Sequence, residues 1–325
     1  MYQAAPARTP PAADWFRREP EIEVSPWIDC HSMHPDFPQF VIGDVHGHAD
    51  ALSRLLDEMA RLSVSHLPVS FLGDLGDRGP DSLGVILEVV RPDPRFARKT
   101  LIAGNHDLYF LEADLMSRST GSVAQLLGFW SQVGGDSFLN QVDLLSCEMA
   151  HSPFHVRLET GLALRGGTSC AVARERLESL HGLPLGEFNG NVLMTHAGLP
   201  PDIESADLPA FLDRKRASIE YWWNSDDDFP FIVHPEHFQA TGQPSRSGAF
   251  VIHGHYPEFL TYTPRSPLPS LDLYRHDPGM CRLGLDGTFD TFRLCGVVGA
   301  QIEPGRYRVF RAPVMPGARI LDDDA

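Results

Sequence analysis

The chain has 325 residues, of which 42% are hydrophobic and 22% are charged, so it can bury a core and lacks the composition of a disordered protein. Its formal net charge of −16 argues against non-specific binding to nucleic acid or to an anionic membrane surface. No apolar run approaches the roughly 18 residues of a membrane-spanning helix, and we expect no signal peptide. The five cysteines form no CxxC pair, which favours reduced thiols and a cytoplasmic protein.

The first part of the chain alternates predicted strands with predicted helices. Residues 1–38 are predicted to be an extension, because repeated prolines interrupt them and no helix or strand period persists. The apolar pattern then predicts strands at 39–43, 69–73 and 100–103, and helices at 49–62, 81–90 and 108–116. Asp107 is in a position to cap the third helix. This alternation indicates βαβ units and a parallel sheet.

The second part of the chain is less regular. Residues 117–190 are predicted to form a helical insertion or cap within one domain at 39–311, which a tail at 312–325 follows. Short apolar runs predict further strands at 192–195, 249–252, 282–286, 291–295 and 306–310. Few helices separate these strands, so we expect antiparallel or mixed pairing. The pattern as a whole indicates one α/β domain with two sheets.

Short polar segments follow the first three predicted strands. Asp44, Asp74 and Asn105 lie in these segments, about 30 residues apart, which is the length of one βαβ unit. Because open α/β sheets bind ligands at the carboxyl ends of their strands, we expect these side chains to lie side by side. His196 and the segment 253–255 follow two later strands and add imidazoles. The sequence therefore predicts one cluster of carboxylate, amide and imidazole groups.

Such a cluster favours bound metal ions. Carboxylates that converge without a cation repel one another strongly. Oxygen and imidazole donors without a thiolate suit Mn, Fe or Zn better than Ca or Mg. Asp74 is central to the set and is in a position to bridge two metal ions about 3.5–4 Å apart, the geometry of two-metal hydrolysis.

Several sequence blocks occur in a distinctive order: GDVHG (43–47), GDLGDRGP (73–80), GNHD (104–107), THAG (195–198) and HGH (253–255). Together they resemble the calcineurin-like metallophosphoesterase superfamily, and more narrowly its phosphoprotein-phosphatase branch. That branch contains Ser/Thr protein phosphatases, their bacterial relatives and symmetrical bis(5′-nucleosyl)-tetraphosphatases. The resemblance covers about residues 39–295. It implies a two-sheet β-sandwich flanked by helices, in α/β-β-α layers, with a dinuclear metal site at the carboxyl edge of the strands.

The resemblance also implies which residues hold two divalent metal ions, with Mn expected and Fe or Zn as alternatives. Carried over by position, the ligands are Asp44, His46 and Asp74 for one ion and Asp74, Asn105, His196 and His255 for the other. In some branches of the superfamily two histidines separated by one residue both bind. His253 therefore stays open as a further ligand beside His255.

The same resemblance assigns the chemistry to three further residues. Arg78 would clamp the substrate phosphate, for which a planar guanidinium is suited. Asp77 would orient His106, and His106 would protonate the leaving oxygen. A metal-bridging hydroxide would attack phosphorus in line, without a phosphoenzyme.

Some positions depart from the family pattern. Gly76 replaces the usual bulky residue before the DRG block, and we expect a looser turn there. Related phosphatases carry a second phosphate-binding Arg near a Trp. Here the Trp pair at 222–223 has no adjacent Arg, and Arg246 is our candidate, with Arg216 as the alternative. The segment 286–288 reads Asp-Gly-Thr where relatives often have Asp-Thr-Gly.

We therefore predict a metal-dependent phosphoric ester hydrolase of the Ser/Thr protein-phosphatase kind. Its substrate would be a phosphorylated protein or a small phosphoester, and it would bind neither nucleic acid nor a membrane. One alternative, a symmetrical dinucleoside-tetraphosphate hydrolase, shares the metal site. The alternative from another class is a non-catalytic binding or scaffold protein. The presence of His106, Asp77 and Arg78 speaks against it, because a scaffold needs no general acid.

Overall fold

The computed structural model describes residues 21–63, 66–119, 122–199, 203–210, 212–213, 247–255, 281–287 and 296–314. Arg246, Arg216, the Trp pair at 222–223 and the predicted strand at 291–295 lie outside these residues. The described residues form two β-sheets flanked by helices, which confirms the predicted fold class. None of their helices is both long and apolar enough to cross a membrane.

The larger sheet contains seven strands in the described part of the chain. Its main path runs β1 (Glu23–Val24), β11 (Arg306–Ala312), β10 (Val297–Glu303), β3 (Gln39–Ile42), β4 (Val69–Phe71) and β5 (Lys99–Leu101), while β2 (Ile28–Asp29) also pairs with β11. The central strands β3, β4 and β5 are parallel, as the alternation with helices predicts. β10 and β11 are antiparallel to their neighbours.

The edge of this sheet differs from the prediction. β1 and β2 lie within the predicted extension, yet both pair with β11, so residues 23–24 and 28–29 belong to the sheet. β10 is absent from the predicted strands, because Gly299 and Gln301 interrupt its apolar pattern. Backbone pairing with β3 and β11 on its two sides outweighs the weak strand preference of these residues.

The smaller sheet contains four described strands in the order β6 (Gly186–Asn189), β7 (Val192–Thr195), β8 (Phe250–His253) and β9 (Arg282–Gly284). β7, β8 and β9 are parallel, whereas β6 is antiparallel to β7. The predicted strands β7, β8 and β9 are therefore parallel to one another rather than antiparallel or mixed, and the sheet is mixed only through β6, a strand that the sequence does not predict. The carboxyl ends of β7 and β8 lead into the segments that contain the predicted histidine ligands.

The inner strands β3 and β4 of the larger sheet are buried on both faces. In β3, Phe40 and Ile42 belong to the core that the flanking helices cover, while Val41 belongs to a second core to which both sheets contribute. Successive side chains of a strand point to opposite faces, so one short strand serves both cores. This double burial explains why the strands are continuous apolar runs rather than alternating patterns.

Helices α1 (Ala49–Leu62) and α2 (Ser82–Val90) match the predicted positions. The predicted inward face of α1 is buried, including Leu52 and Met59. At the start of α2 the Asp81 carboxylate accepts a hydrogen bond from the Gly84 backbone N–H at 2.9 Å, as an N-cap residue does.

Helix α3 (Asn105–Ser119) begins before the predicted start at residue 108, so the interpretation of Asp107 as its N-cap is wrong. Asp107 lies in the first turn of the helix. Its carboxylate accepts hydrogen bonds from the backbone N–H groups of Asp74 (2.8 Å), Leu75 (2.9 Å) and Gly104 (3.0 Å). Asp107 therefore ties the loop after β4 to the start of α3.

Most of the predicted insertion at 117–190 is helical, but its last residues form strand β6, which the sequence does not predict. It contains α4 (Ala124–Trp130), a π-helical turn (Ser131–Gly135), α5 (Asp136–Leu145), a 3₁₀ turn (Cys147–Met149), α6 (Phe154–Gly166) and α7 (Cys170–Leu180). Arg118 of α3 donates hydrogen bonds to Asp114 of its own helix and to Glu159 of α6. These hydrogen bonds link the insertion to α3, the helix that begins at the predicted metal cluster.

Candidate metal centre

The carboxyl ends of strands from both sheets meet at one place, and the predicted ligands follow these strand ends. Their ligand atoms form two groups, each with all atoms within 4.8 Å of one another: Asp44, His46 and Asp74 in one, and Asp74, His196 and His255 in the other. Asp74 belongs to both groups, which is the position of a bridging ligand.

In the second group the donor atoms converge closely. Asn105 Oδ1 lies 3.0 Å from His196 Nε2 and 3.0 Å from His255 Nδ1, and these two nitrogens are 3.1 Å apart. His196 Nδ1 lies 2.8 Å from the carbonyl oxygen of Leu72, which can only accept. Nδ1 therefore carries the proton, and Nε2 presents its lone pair to the cluster, as in metal-ligating histidines.

In the first group His46 is fixed in the same way. Its Nδ1 donates to the carbonyl oxygen of Gly76 at 2.9 Å, which leaves Nε2 as the acceptor atom. This Nε2 lies 3.5 Å from Asp74 Oδ2 and 3.8 Å from Asp44 Oδ2. Asp44 Oδ2 is buried and accepts no hydrogen bond from the described residues. A buried carboxylate oxygen that faces an imidazole lone pair fits a bound cation.

The electrostatics of the cluster favour the same conclusion. Burial raises the pKa of Asp44 well above its usual value, and the nearby carboxylates of Asp286 and Asp74 raise it further. Burial lowers the pKa of His196 to about 3 and, together with Arg78, lowers that of His46 well below its usual value. Neutral imidazoles are the form that binds metal, and a divalent cation would relieve the repulsion between the carboxylates. The residues present therefore fit a pair of divalent metal ions.

Backbone strain is concentrated in this cluster. Among the described residues, the non-glycine residues with positive φ are Cys281 and the following site residues: His46 (43°), Asp74 (51°), Asp77 (68°), Arg78 (58°) and His255 (61°). This left-handed region is costly for residues with a Cβ atom and persists where the surrounding structure enforces it. The strain indicates that the fold holds these side chains in specific directions.

A second set of polar groups lies against the first metal group. His106 Nδ1 is 2.6 Å from Asp77 Oδ2, and both residues are buried. Burial lowers the pKa of the His106 imidazole to about 4 and raises that of the Asp77 carboxyl well above its usual value. The guanidinium of Arg78 places Nη1 2.8 Å from His46 Nε2 and Nη2 3.2 Å from His106 Nε2. Arg78 therefore spans the space between the first metal group and the His106–Asp77 pair.

This arrangement agrees with what the sequence matches among known proteins. The family described as calcineurin-like phosphoesterase matches residues 37–263, which are more than half of the chain and contain every predicted metal ligand. The chain belongs to the calcineurin-like phosphoesterase family. Members of this family depend on two metal ions, and the two ligand groups described above could hold such ions in this chain.

Within the calcineurin-like phosphoesterases, relatives with different activities match the chain. The catalytic subunit of serine/threonine-protein phosphatase 4 from Eremothecium gossypii is 26% identical over 208 residues, 62% of this chain and 53% of that protein. Serine/threonine-protein phosphatase 1 from Salmonella typhimurium is 37% identical over 99 residues, 30% of this chain and 39% of that protein. A symmetrical bis(5′-nucleosyl)-tetraphosphatase from Legionella pneumophila is 33% identical over 199 residues, 57% of this chain and 65% of that protein. The chain thus spans less than two thirds of the length of each of these relatives.

The expectation that Gly76 loosens the turn before the DRG block is wrong. A Cβ atom at position 76 would lie 2.9 Å from the ring of Phe138, which α5 places against this turn. The turn is therefore packed, and a side chain at position 76 would require the ring of Phe138 to shift. The sequence contains no signal for this contact, since Phe138 lies about 60 residues away.

Sequence reasoning also missed two residues at this site. The indole N–H of Trp130 donates to Asp77 Oδ2 at 2.7 Å, from a helix whose pattern indicates only a buried face. Asp286 is fully buried and lies close enough to Asp44 to raise its pKa. Its place in the Asp-Gly-Thr segment was the available signal. Arg246, the candidate for the second phosphate-binding arginine, lies outside the described residues.

We expect His255→Ala to lose one metal ion and His253→Ala to keep both. His255 Nδ1 faces Asn105 and His196, whereas His253 Nδ1 lies 2.9 Å from the carbonyl oxygen of Gly254 and belongs to neither ligand group found among the described residues. Metal analysis of the two purified variants measures the difference. Loss of metal only in the His253 variant would reverse the assignment.

Proposed function

We propose that the protein hydrolyses phosphate esters with the help of two divalent metal ions, as a Ser/Thr-type protein phosphatase. The observation that supports this proposal is that a candidate proton donor and a phosphate-binding arginine lie in contact with the cluster of metal ligands. The His106–Asp77 pair and Arg78 lie directly against the ligand cluster, with Arg78 in contact with both His46 and His106. A scaffold protein could retain a metal cluster, but it has no use for a buried proton donor beside it.

In this proposal Asp44, His46 and Asp74 hold one ion, and Asn105, His196 and His255 hold the other together with Asp74. We propose Mn²⁺ as the metal, because the donor set mixes carboxylate, amide and imidazole groups without a thiolate. Bound ions would supply positive charge for the phosphate oxygens and would acidify a water molecule.

Phosphate binding and protonation of the leaving group are carried out by side chains that are not metal ligands. Arg78 binds the phosphate oxygens through its guanidinium, which already lies between the first metal group and His106. His106 gives its proton from Nε2 to the leaving oxygen, because Nδ1 is held by Asp77. A phosphate dianion bound beside Nε2 adds negative charge and thereby favours the protonated imidazole.

The substrate is proposed from the relatives. Two of them are named serine/threonine-protein phosphatases, and we extend that activity to this chain. The Legionella relative is named for a dinucleoside tetraphosphate, which the same metal centre could accept. We propose a cytoplasmic location from the free thiols of the described cysteines. Arg246, which the structure does not describe, remains our candidate for a second phosphate contact.

Two assays run in parallel test the proposal. The purified protein, loaded with Mn²⁺, is given a phosphoserine peptide in one reaction and diadenosine tetraphosphate in the other, with a chelator-treated sample as the control. We expect phosphate release from the peptide that stops when the metal is removed. Faster turnover of diadenosine tetraphosphate would support the alternative substrate class. Absence of turnover on both, with two metals bound, would contradict the enzyme proposal and favour the binding protein.

We expect Arg78→Ala to weaken turnover of phosphate esters while metal content stays close to wild type. Arg78 contacts the imidazoles of His46 and His106 but offers no ligand atom to a cation, so we expect its loss to remove the phosphate contact and to leave the set of metal ligands in place. Loss of one such preorganised charge typically lowers kcat by about 10²–10³-fold. Arg78→Lys keeps the charge without the bidentate fork and should recover part of the loss. An unchanged kcat/KM in Arg78→Ala would place the phosphate contact elsewhere, with Arg246 as the next candidate.

A further inference from the structure

The carboxylate of Asp77 receives two side-chain donors on one oxygen. His106 Nδ1 lies 2.6 Å and Trp130 Nε1 lies 2.7 Å from Oδ2. The other oxygen, Oδ1, is buried and accepts no hydrogen bond from the described residues. The direction of this carboxylate is therefore set by two donors, and one of them, Trp130, lies at the end of α4, outside the sequence blocks that contain the site residues.

Packing fixes the indole of Trp130 in place. The side chain is fully buried, and its ring stacks on Tyr109 at 6.4 Å between centroids and meets Phe138 at 5.0 Å. A Cβ atom at position 135 would lie only 2.3 Å from the indole Cδ1, so Gly135 leaves the room that the ring needs. An indole held on all sides presents its N–H in one direction only.

The same part of the insertion contacts three consecutive residues of the loop after β4. Phe138 packs against Gly76, Trp130 donates to Asp77, and the carbonyl oxygen of Gly134 accepts the backbone N–H of Arg78 at 3.1 Å. Asp77 and Arg78 both have positive φ, so this loop needs external contacts to hold its conformation. The segment 130–138 supplies them.

We infer that Trp130 is a positioning residue for the proton donor. Trp130 acts through Asp77, which it holds in the direction that orients His106. Through this contact the segment 130–138 of the insertion supports the loop after β4. This inference rests on the proposed function, because it gives the His106–Asp77 pair its role. Without the indole N–H, Asp77 Oδ2 keeps one side-chain donor, and the imidazole loses its fixed direction. The metal ligands and the phosphate contact of Arg78 stay unchanged.

The test compares Trp130→Phe with Phe154→Leu. Trp130→Phe removes the N–H and keeps an aromatic ring. Phe154→Leu removes packing from the same cluster, in which Phe154 meets the indole edge-on at 6.2 Å, and keeps the N–H. Each variant is assayed on a phosphoserine peptide and on p-nitrophenyl phosphate. We expect Trp130→Phe to lose about tenfold in kcat on the peptide and less than about threefold on the aryl ester, because only the poor leaving group needs the acid.

A double-mutant cycle separates positioning from stability. If Trp130 acts through Asp77, adding Trp130→Phe to Asp77→Asn costs little further, whereas independent effects would multiply. Phe154→Leu should lower the unfolding temperature without changing the ratio of the two activities. Equal losses on both substrates in Trp130→Phe, or multiplicative effects in the cycle, would overturn the inference while phosphatase activity of the wild type still stands.

A spectroscopic readout keeps the inference testable apart from activity. With ¹⁵N-labelled tryptophan, the indole signal of Trp130 is assigned by its loss in Trp130→Phe and should shift in Asp77→Asn but not in Asp50→Asn. If the wild type hydrolyses no phosphate ester, the proposed function fails and the positioning role with it, although the shift still reports the hydrogen bond.

If Trp130→Phe does not fold, Gly135→Ala takes its place, because its Cβ atom displaces the indole. The same loss confined to the peptide is then expected, and equal losses would again contradict the inference.

Discussion

The Asp74→Asn variant is expected to lose bound metal and activity together. Each carboxylate oxygen of Asp74 faces a different ligand group, with Oδ2 3.5 Å from His46 Nε2 and Oδ1 3.4 Å from His196 Nε2. An amide offers one acceptor oxygen and turns an NH₂ group toward the other ion, which repels a cation. Since a catalytic metal supplies several kcal/mol, a loss of about 4 kcal/mol corresponds to about a thousandfold in rate.

Asp50→Asn is the matched control for this prediction. Asp50 carries the same change of charge in the first turn of α1, where it lies half-exposed 3.8 Å from Arg54 and away from the ligand groups. Metal content by mass spectrometry and phosphate release are measured on both variants. We expect the control to match wild type in both. Two bound metals and most of the turnover in Asp74→Asn would show that Asp74 does not bridge.

His106→Asn is expected to cost far more with a poor leaving group than with a good one. A serine alkoxide must be protonated as it leaves, whereas p-nitrophenolate departs with little help. We expect kcat on a phosphoserine peptide to fall by about 10²–10⁴-fold, with a loss below about tenfold on p-nitrophenyl phosphate. Metal content should persist, because the proposed ligand Asn105 is unchanged and the backbone N–H of residue 106 still reaches Asp74 Oδ1, at 2.9 Å in the wild type.

Two further variants test the role assigned to His106. Asp77→Asn should show the same dependence on the leaving group more mildly, because it removes only the orienting partner. His155→Asn is the control, since His155 lies in the insertion, where its Nδ1 is 2.9 Å from the hydroxyl of Ser117. Equal losses on both substrates in His106→Asn, with metal retained, would remove His106 from the acid role.

The sequence by itself determined the order of the central strands and the residues at their ends. Strands buried on both faces leave continuous apolar runs, and each polar block that follows such a run marks a strand end. Local patterns therefore sufficed to predict that Asp44, Asp74 and Asn105 lie close together, as the structure shows. The histidine ligands of the smaller sheet could be placed for the same reason. Helices α1 and α2 were equally readable, because their apolar faces repeat at helical spacing.

Only the tertiary structure decided what surrounds that cluster. Gly76 leaves room for Phe138, Trp130 donates a hydrogen bond to Asp77, and β1 and β2 pair with β11, all through contacts between segments far apart in the chain. A propensity or a period reports only neighbours within a few residues, so it cannot indicate which distant ring fills the space at a glycine or which donor reaches a buried carboxylate. The residues of the candidate metal centre were therefore visible in the sequence, whereas the contacts that hold the His106–Asp77 pair depend on how the helical insertion packs.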